Sequence, residues 1–390
     1  MATADEQPPR ARVARLLDGL HARLQRQTTS LEYMPEIDGL RFLAIGTVLL
    51  HHLSGYLTSS MPTPPTDSAQ LRALLATGNI GVQIFFAISG FVLALPFLKA
   101  RLGGARPVRL SDYFLRRLTR LEPPYLFSLI ILFALKFRSL EQPWQHLGFS
   151  AVYLHNFVYG TGSTINFVAW SLEIEVQFYI LMPLIAWVFF RGSAPWPRRV
   201  ALMLLCLLLT WRQAVLYGAH FPHGLDVLDQ AQYFAVGVIL ADVYLLEWKG
   251  RLDTDSPTRR AAFDSLALFS WVALPAAILI DREHARFVVA PIIWLACVGT
   301  LRGGVFRTLV RNRWISAIGG MCYTMYLYHW YVLGPTLKVL GGATAPTFLE
   351  NLLTRGSVIV AAVTVVSAVL FILVEKPFMG IRLKRRSPPT

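Results

Sequence analysis

The sequence predicts an all-α polytopic membrane protein with about ten transmembrane helices. Hydrophobic residues make up 54% of the 390-residue chain and charged residues only 15%, well below the share in a soluble protein. Apolar runs long enough to cross a bilayer recur along the chain, and basic residues cluster in every second loop between them. The net charge of +14 therefore follows membrane topology, and we expect a lipid bilayer and no nucleic acid as partner.

Residues 1–35 are predicted to form a basic amphipathic helix on the cytosolic side. Apolar residues recur at helical spacing between positions 13 and 24, with arginines between them. Such a helix suits an anionic membrane surface, and it suits packing against a cytosolic loop equally well. Nothing in this segment predicts catalysis.

Ten apolar runs of bilayer length form the predicted membrane domain over residues 36–378. They lie near residues 39–58, 77–98, 123–140, 169–190, 199–217, 231–247, 262–280, 286–301, 314–334 and 355–374. Because every second loop is basic, both termini are expected in the cytoplasm. Residues 379–390 then form a basic cytosolic tail.

The long segment 137–166 departs from this alternation. Its middle, residues 146–159, is apolar and aromatic, but a further span there would put the basic loops on both sides of the membrane. We therefore expect an interfacial or re-entrant element on the outer side.

The three cysteines, Cys206, Cys297 and Cys322, fall within apolar runs. Their spacing fits neither a metal site nor a disulfide framework. We expect them to be packing residues, and we expect no bound metal.

The first predicted span, IDGLRFLAIGTVLLHHLSG, carries ionisable residues in an apolar run. Such residues are costly in a bilayer and mark functional sites. Arg41 and His52 are eleven residues apart, so they share a helix face about 16 Å apart, whereas His51 points about 100° away from His52. We expect this face to bind a long molecule with an anionic head.

The loop after the second span ends in RRLTRLEPPY. Arg117 and Arg120 are three residues apart and share a face on a helical turn. Paired guanidinium groups match phosphate oxygens, so the pair predicts a phosphate site at the cytosolic edge. Topology-setting charges against lipid headgroups explain the pair equally well.

The fourth predicted span opens with two carboxylates, Glu173 and Glu175. Residues two apart do not share a helix face, so we expect one to face the bundle and the other the interface. Glu175 lies deeper and needs a cation or a hydrogen-bond donor, for which His52 is a candidate. A structural polar clamp is the alternative. Trp170, at the head of this span, fits the aromatic belt near the outer surface.

The second and ninth predicted spans each contain polar residues. In the second, Ser89 and Gly90 favour close helix packing, and the alternative is that Gln83 and Ser89 line a cavity. In the ninth, Tyr326 and His329 lie one turn apart on one face, in the outer half. A histidine there suits either core packing or the binding of a hydroxylated acceptor.

Together these stretches resemble the acyltransferase-3 family of integral-membrane O-acyltransferases. The resemblance runs from residue 37 to residue 378 and rests on the order and spacing of IDGLRFLAIGTVLLHH, GVQIFFAISGF, RRLTRLEPPY, WSLEIEVQFYILMPL, YLYHW and VEKPF. It corresponds to the form without a fused hydrolase-like domain, which is expected to act alone or to pass its product to a partner.

The resemblance implies transfer of an acyl group, which we expect to be acetyl, from acyl-CoA as co-substrate to a hydroxyl of a carbohydrate or glycosylated acceptor. It implies a multi-pass protein of the bacterial plasma membrane. The implied donor-binding residues are Arg41, Arg117 and Arg120. The implied catalytic residues are His52, as general base or transient acyl carrier, and Glu175. The residues expected to bind the acceptor are Trp170, Ser171, Tyr326 and His329.

The competing hypothesis is a transporter or flippase that moves an acyl or glycan substrate without chemistry. Polar residues on bundle-facing helices also mark transport pathways. The sequence shows neither repeat symmetry nor broken helices in matching positions, which favours the enzyme.

Overall fold

The computed structural model describes residues 9–27, 33–63, 65–192, 194–217, 225–252 and 254–379. Within these ranges the chain forms α-helices with short 3₁₀ and π segments and no strand. The predicted all-α polytopic fold is therefore confirmed. The predicted basic tail, residues 379–390, lies outside the described residues apart from Met379.

The helices follow one another in the order of the chain. They are α1 (Pro9–Leu24), α2 (Pro35–Ser60), α3 (Ala69–Ala76), α4 (Gly81–Arg101), α5 (Leu110–Lys136), α6 (Pro143–Ala151), α7 (His155–Tyr159), α8 (Trp170–Phe189), α9 (Pro195–Tyr217), α10 (Val227–Val243), α11 (Pro257–Ile280), α12 (Ala285–Arg302), α13 (Val305–Val310), α14 (Arg313–Gly320), α15 (Cys322–Val339), α16 (Phe348–Asn351) and α17 (Ser357–Leu370). Short π segments continue α10 over Tyr244–Trp248 and α17 over Phe371–Glu375.

Nine helical segments in the described part of the chain are long and apolar enough to cross a membrane. They are Pro35–Ser60, Ala69–Arg101, Leu110–Ser139, Phe167–Phe189, Pro195–Leu216, Val227–Trp248, Pro257–Ile280, Ala285–Arg302 and Phe348–Phe378. Each coincides with one of the ten predicted runs.

The remaining run, predicted near residues 314–334, is not one helix, so that prediction was wrong. It breaks at Met321 into α14 and α15. Gly319 and Gly320, which have low helix propensity, end α14. A Cβ on Gly319 would lie only 1.7 Å from the Asp38 carbonyl oxygen, so the break lets α14 lie directly against α2.

The centre of the bundle is the tightly packed pair of α4 and α10. A Cβ on Gly90 would lie 2.1 Å from the Phe234 carbonyl oxygen, and one on Gly237 would lie 1.9 Å from the Ala87 carbonyl oxygen. Glycine lets the two backbones approach, as expected for close packing at Gly90. Helices α2 and α8 pack against the same α4.

Helix α5 brings the two predicted phosphate-binding arginines into the bundle. It begins at Leu110, so Arg117 and Arg120 lie within a helix rather than in the predicted loop. Two tyrosines of α15 tie it in place, because Tyr323 donates to the Leu121 carbonyl at 2.9 Å and Tyr328 donates to the Pro124 carbonyl at 3.3 Å. In the segment after α5, α6 and α7 are both too short to span, as predicted.

The N-terminal helix α1 packs on α14, a helix rather than the loop named in the second predicted setting. Asp18 accepts a hydrogen bond from Arg313 at 2.7 Å, and the His21 ring lies edge-on to Trp314. Leu24 is buried in the core. The helix that precedes α2 in the chain is therefore packed against the bundle.

Candidate active site

A cavity lies between α2, α4, α5, α8 and α15 and holds about 740 Å³ of space that protein atoms do not fill. We call it the main cavity. Its polar lining consists of Arg41, Ser89, Arg117, Arg120, Ser171, Glu175, Tyr179, Cys322, Tyr323 and Tyr326. Its apolar lining consists of Val82, Phe85, Phe86, Ile88, Val92, Leu93, Leu121 and Leu172.

The main cavity is lined by most of the site residues that the sequence predicts. The predicted residues lining it are Arg41, Arg117, Arg120, Ser171, Glu175 and Tyr326. His52, His329 and Trp170 are not part of the lining. Most of the apolar wall comes from α4, whereas α2, along which the ligand is expected to lie, contributes Arg41.

Among the described residues, two arginines of the main cavity form no close ion pair, although Glu175 lies near enough to act on Arg117 and Glu375 near enough to act on Arg120. The Arg117 guanidinium lies against the rings of Tyr113 and Tyr179, 5.9 and 5.7 Å from their centres. Such contacts stabilise a cation but leave its N–H groups available. The buried Nε atoms of Arg117 and Arg120 have no hydrogen-bond partner among the described residues. Because a buried unpaired donor is costly, this arrangement favours binding of an anion.

Arg41, by contrast, is anchored by an acidic residue. It donates to the carboxylate of Asp38, which also accepts a hydrogen bond from Arg26 at 3.2 Å. Burial and the charges of Arg120 and Arg41 lower the pKa of Arg26 to about 9, so its guanidinium stays charged at neutral pH. Positive charge therefore exceeds negative charge around Asp38.

Glu175 is held inside the main cavity by hydroxyl groups. It accepts hydrogen bonds from Ser89, at 2.6 Å, and from Tyr179. The expected pairing of Glu175 with His52 was wrong, because the ring of His52 bonds to His329. A hydroxyl pair stabilises a carboxylate without a cation, so Glu175 does not need the histidine.

Glu173 also turns inward, so the expectation that one of the two carboxylates faces the interface was wrong. Glu173 is fully buried and accepts a hydrogen bond from the backbone N–H of Asn156 at 2.8 Å. The reason is that α7 folds back over the head of α8 and covers this face.

His52 belongs to a histidine pair. Its Nδ1 lies 2.7 Å from Nε2 of His329, whose own Nδ1 faces the Tyr326 carbonyl oxygen at 2.8 Å. Since a carbonyl only accepts, Nδ1 of His329 carries the proton and its Nε2 carries a lone pair. His52 must then donate from Nδ1, which leaves a lone pair on its Nε2. The geometry thus prepares Nε2 of His52 to act as a base.

Tyr326 connects the histidine pair to the main cavity. Its ring centre lies 5.9 Å from that of His329, and Ser171 donates to its hydroxyl at 2.8 Å. His329 itself is fully buried, so it reaches an acceptor only through its neighbour His52. Trp170 heads α8, where its carbonyl accepts from the Asn156 side chain.

An aromatic wall that the sequence did not predict surrounds His52. The Trp330 ring lies edge-on to His52 at 5.2 Å between ring centres. Tyr56 and Phe167 lie 6.3 and 5.9 Å from Trp330. Trp330 follows His329 directly in the YLYHW stretch, so that stretch contained the signal.

The described residues contain no group of histidine, cysteine and carboxylate side chains placed to hold a metal ion. The cysteines are free, and Cys206 and Cys297 lie outside the lining of the main cavity. Cys322 does line it, which the prediction of a packing role did not include.

A family model described as an acyltransferase domain matches residues 34–373. The match includes every helix that lines the main cavity. The chain belongs to the acyltransferase-3 family. It is, as the resemblance implied, a multi-pass membrane member of that family.

This acyltransferase-3 chain is similar to curated proteins of Staphylococcus aureus. One, of strain MSSA476, is provisionally named an O-acetyltransferase and is 24% identical over 342 residues, which cover 78% of this chain and 51% of that protein. Another, O-acetyltransferase OatA of strain NCTC 8325 / PS 47, is 29% identical over 169 residues, which cover 40% of this chain and 25% of OatA. The chain thus spans about half the length of the first of these relatives. No solved structure matches it.

Proposed function

We propose that this acyltransferase-3 chain transfers an acetyl group from acetyl-CoA to a hydroxyl of a carbohydrate or glycosylated acceptor. The observation that carries the proposal is the main cavity itself. Arg117 and Arg120 line it beside an apolar wall, and Tyr326, which also lines it, lies 5.9 Å between ring centres from His329 of the histidine pair. This arrangement suits a donor with an anionic head and a reactive far end.

The arginines bind the donor phosphates in this proposal. The Nε–H groups of Arg117 and Arg120 have no acceptor among the described residues, and a guanidinium fork fits phosphate oxygens. Arg41, whose geometry Asp38 fixes, adds a third cation. The apolar side chains of α4 then contact the pantetheine arm and shield the thioester from water.

His52 acts as the general base. Its Nε2 lone pair accepts the proton of the acceptor hydroxyl as the oxygen attacks the thioester carbonyl carbon. The new C–O bond forms as the C–S bond breaks, and the departing thiolate takes up the proton from His52 to give free CoA. His329 holds His52 in the required tautomer through their hydrogen bond at 2.7 Å.

Glu175 takes a different part from the one predicted. By binding Ser89 and Tyr179, it fixes the Tyr179 ring against which the Arg117 guanidinium lies. Its contribution to the reaction is therefore to position the donor arginine. Loss of this carboxylate should raise the KM for the donor rather than abolish transfer.

The acceptor is proposed to approach on the side of the aromatic wall. Trp330 and Tyr56 offer flat apolar faces and polar edges next to His52, which suits the mixed character of a sugar ring. Tyr326 and Ser171 lie at the boundary between acceptor and donor. The protein is proposed to lie in a bacterial plasma membrane with its arginine end towards the cytoplasm, where acyl-CoA is available.

Purified protein incubated with labelled acetyl-CoA tests the proposal. Acceptor-dependent release of free CoA, with the label recovered on a sugar by mass spectrometry, is the expected result. Movement of a glycan across a vesicle membrane without consumption of acetyl-CoA would instead establish the transporter alternative.

A further inference from the structure

A second cavity lies beyond Arg41, on the side of the main cavity away from the histidine pair. It holds about 550 Å³ of space that protein atoms do not fill. Its lining consists of Arg26, Tyr33, Met34, Ile37, Asp38, Arg41, Phe91, Val92, Leu95, Lys99 and Tyr244. Arg41 and Val92 line both cavities, so the two spaces adjoin.

The two cavities follow one helix. The main cavity takes its wall from α4 between Val82 and Leu93, and the second cavity takes its wall from α4 between Phe91 and Lys99. At 1.5 Å per residue, Val82 and Lys99 lie about 26 Å apart along the axis. A single extended ligand lying along α4 would therefore enter both cavities.

The second cavity suits an anion with an apolar part. Arg26, Arg41 and Lys99 face it with the carboxylate of Asp38 between them, so positive charge exceeds negative charge. The Nε atom of Arg26 is buried and has no hydrogen-bond partner among the described residues. Asp38 binds another nitrogen of the same guanidinium at 3.2 Å, which fixes the group while leaving Nε available.

Arg26 belongs to the N-terminal segment, before the predicted membrane domain, and contacts from that domain hold this part of the chain in place. A Cβ on Gly320 would lie 3.3 Å from Cβ of Arg26, so α14 ends directly against this residue. The docked helix α1 holds the chain just before it, where Lys376 donates to the carbonyls of Ala22 and Arg23 at 3.0 and 2.6 Å. The N-terminal segment thus closes the second cavity with a cation.

We propose that the second cavity binds the phosphorylated adenosine end of the acyl-CoA donor, with Arg26 as a phosphate ligand supplied by the N-terminal segment. This inference rests on the proposed function. The arginines of the main cavity then bind the phosphate next to the pantetheine arm, and Arg26 binds the nucleotide beyond Arg41.

The test compares two donors and two substitutions. S-acetyl-4′-phosphopantetheine keeps the phosphate next to the pantetheine arm but lacks the nucleotide. We expect Arg26→Gln to raise the KM for acetyl-CoA about tenfold, as loss of a charge-assisted hydrogen bond would. With S-acetyl-4′-phosphopantetheine, Arg26→Gln and wild type should have the same KM, whereas Arg120→Met should impair the use of both donors.

Two control variants distinguish loss of phosphate binding from a general effect of the substitution. Arg23→Gln removes an exposed arginine of the same segment and should leave the KM for both donors as in wild type. Arg26→Lys keeps the charge and should recover part of the affinity for acetyl-CoA, which separates phosphate binding from a folding defect.

An equal effect of Arg26→Gln on both donors, or none on acetyl-CoA, would overturn this inference. An unchanged KM for acetyl-CoA in Arg26→Gln would indicate that the second cavity binds a phospholipid headgroup instead. If wild-type protein releases CoA or phosphopantetheine from neither donor, the proposed function itself fails.

Discussion

The molecule contains two buried clusters of arginines, and they differ in how their charges are met. In the first, between α9 and α10, Arg198 and Arg199 both bind the carboxylate of Asp242, and Arg199 also binds Glu247. In the second, in the main cavity, Arg117 and Arg120 bind no carboxylate of the described chain.

The difference separates structure from function. A buried cation that meets its own carboxylate is part of the fold, since removing either partner strands the other charge. A buried cation without one lowers stability and is retained where it binds something else. Composition alone does not distinguish the clusters, because each contains a closely spaced pair of arginines.

The largest effect is expected in the paired cluster. Asp242→Ala leaves Arg198 and Arg199 buried without that carboxylate and should cost about 3–5 kcal/mol of unfolding free energy. Thermal unfolding in detergent, followed by size-exclusion chromatography, measures it. Glu247→Gln is the matched control, because the Glu247 side chain is 49% exposed and its ion pair should contribute at most about 1 kcal/mol.

In the main cavity, removal of an arginine is expected not to lower the free energy of unfolding. Arg120→Met removes a charge that forms no close ion pair within the described residues and that Glu375 meets only at longer range, so stability should stay equal or rise. The KM for acetyl-CoA should rise at least about tenfold, because a hydrogen bond to phosphate is lost. Arg109→Met, on an exposed residue at the start of α5, should change neither quantity. A destabilised Arg120→Met protein would show that this cluster is structural as well.

Two histidine pairs allow the same comparison between a residue with a proposed catalytic role and one with a structural role. Besides His52 and His329, the described chain has a second histidine pair, in which His146 Nδ1 lies 2.9 Å from His155 Nε2. His329→Phe removes the acceptor that fixes the His52 tautomer and should lower kcat about a hundredfold with an unchanged donor KM. His146→Phe, in the second pair, should leave kcat unaffected. Equal losses in the two variants would contradict the role given to His329.

The smallest effect is expected at His51, next to His52 in the sequence. Its Cβ packs against Gly78, and its ring centre lies 5.1 Å from that of His52. His51→Ala should keep kcat within about twofold of wild type. A large loss in kcat, with normal folding, would transfer the catalytic assignment from His52 to His51.

Much of the fold was predictable from the apolar runs, because a helix must satisfy its own backbone in a bilayer. The break at Met321 was not, since it depends on Gly319 meeting the backbone of α2. In the site, helical spacing predicted that Arg117 and Arg120 lie on one face. The contact between Glu175 and Tyr179 was also predictable, because Tyr179 lies one helical turn beyond Glu175.

The partners of the site residues come from distant segments and were not predictable. His52 meets His329 across 277 positions of the chain, so no local spacing reports their contact. The sequence predicts an amphipathic helix over residues 1–35, and the burial of Arg26 in that segment depends on Asp38 and on Gly320 of α14, which no local pattern reports. Sequence patterns thus found residues with unusual chemistry but not the residues that they contact.

We propose that the main cavity holds acetyl-CoA for attack by a hydroxyl that His52 deprotonates. The most direct measurement is acceptor-dependent release of CoA by purified wild-type protein and by His52→Ala, with folding checked for both. We expect wild-type protein to release CoA and His52→Ala to release none, although that variant should still bind acetyl-CoA. A His52→Ala protein that transfers acetyl groups at the wild-type rate would contradict this proposal.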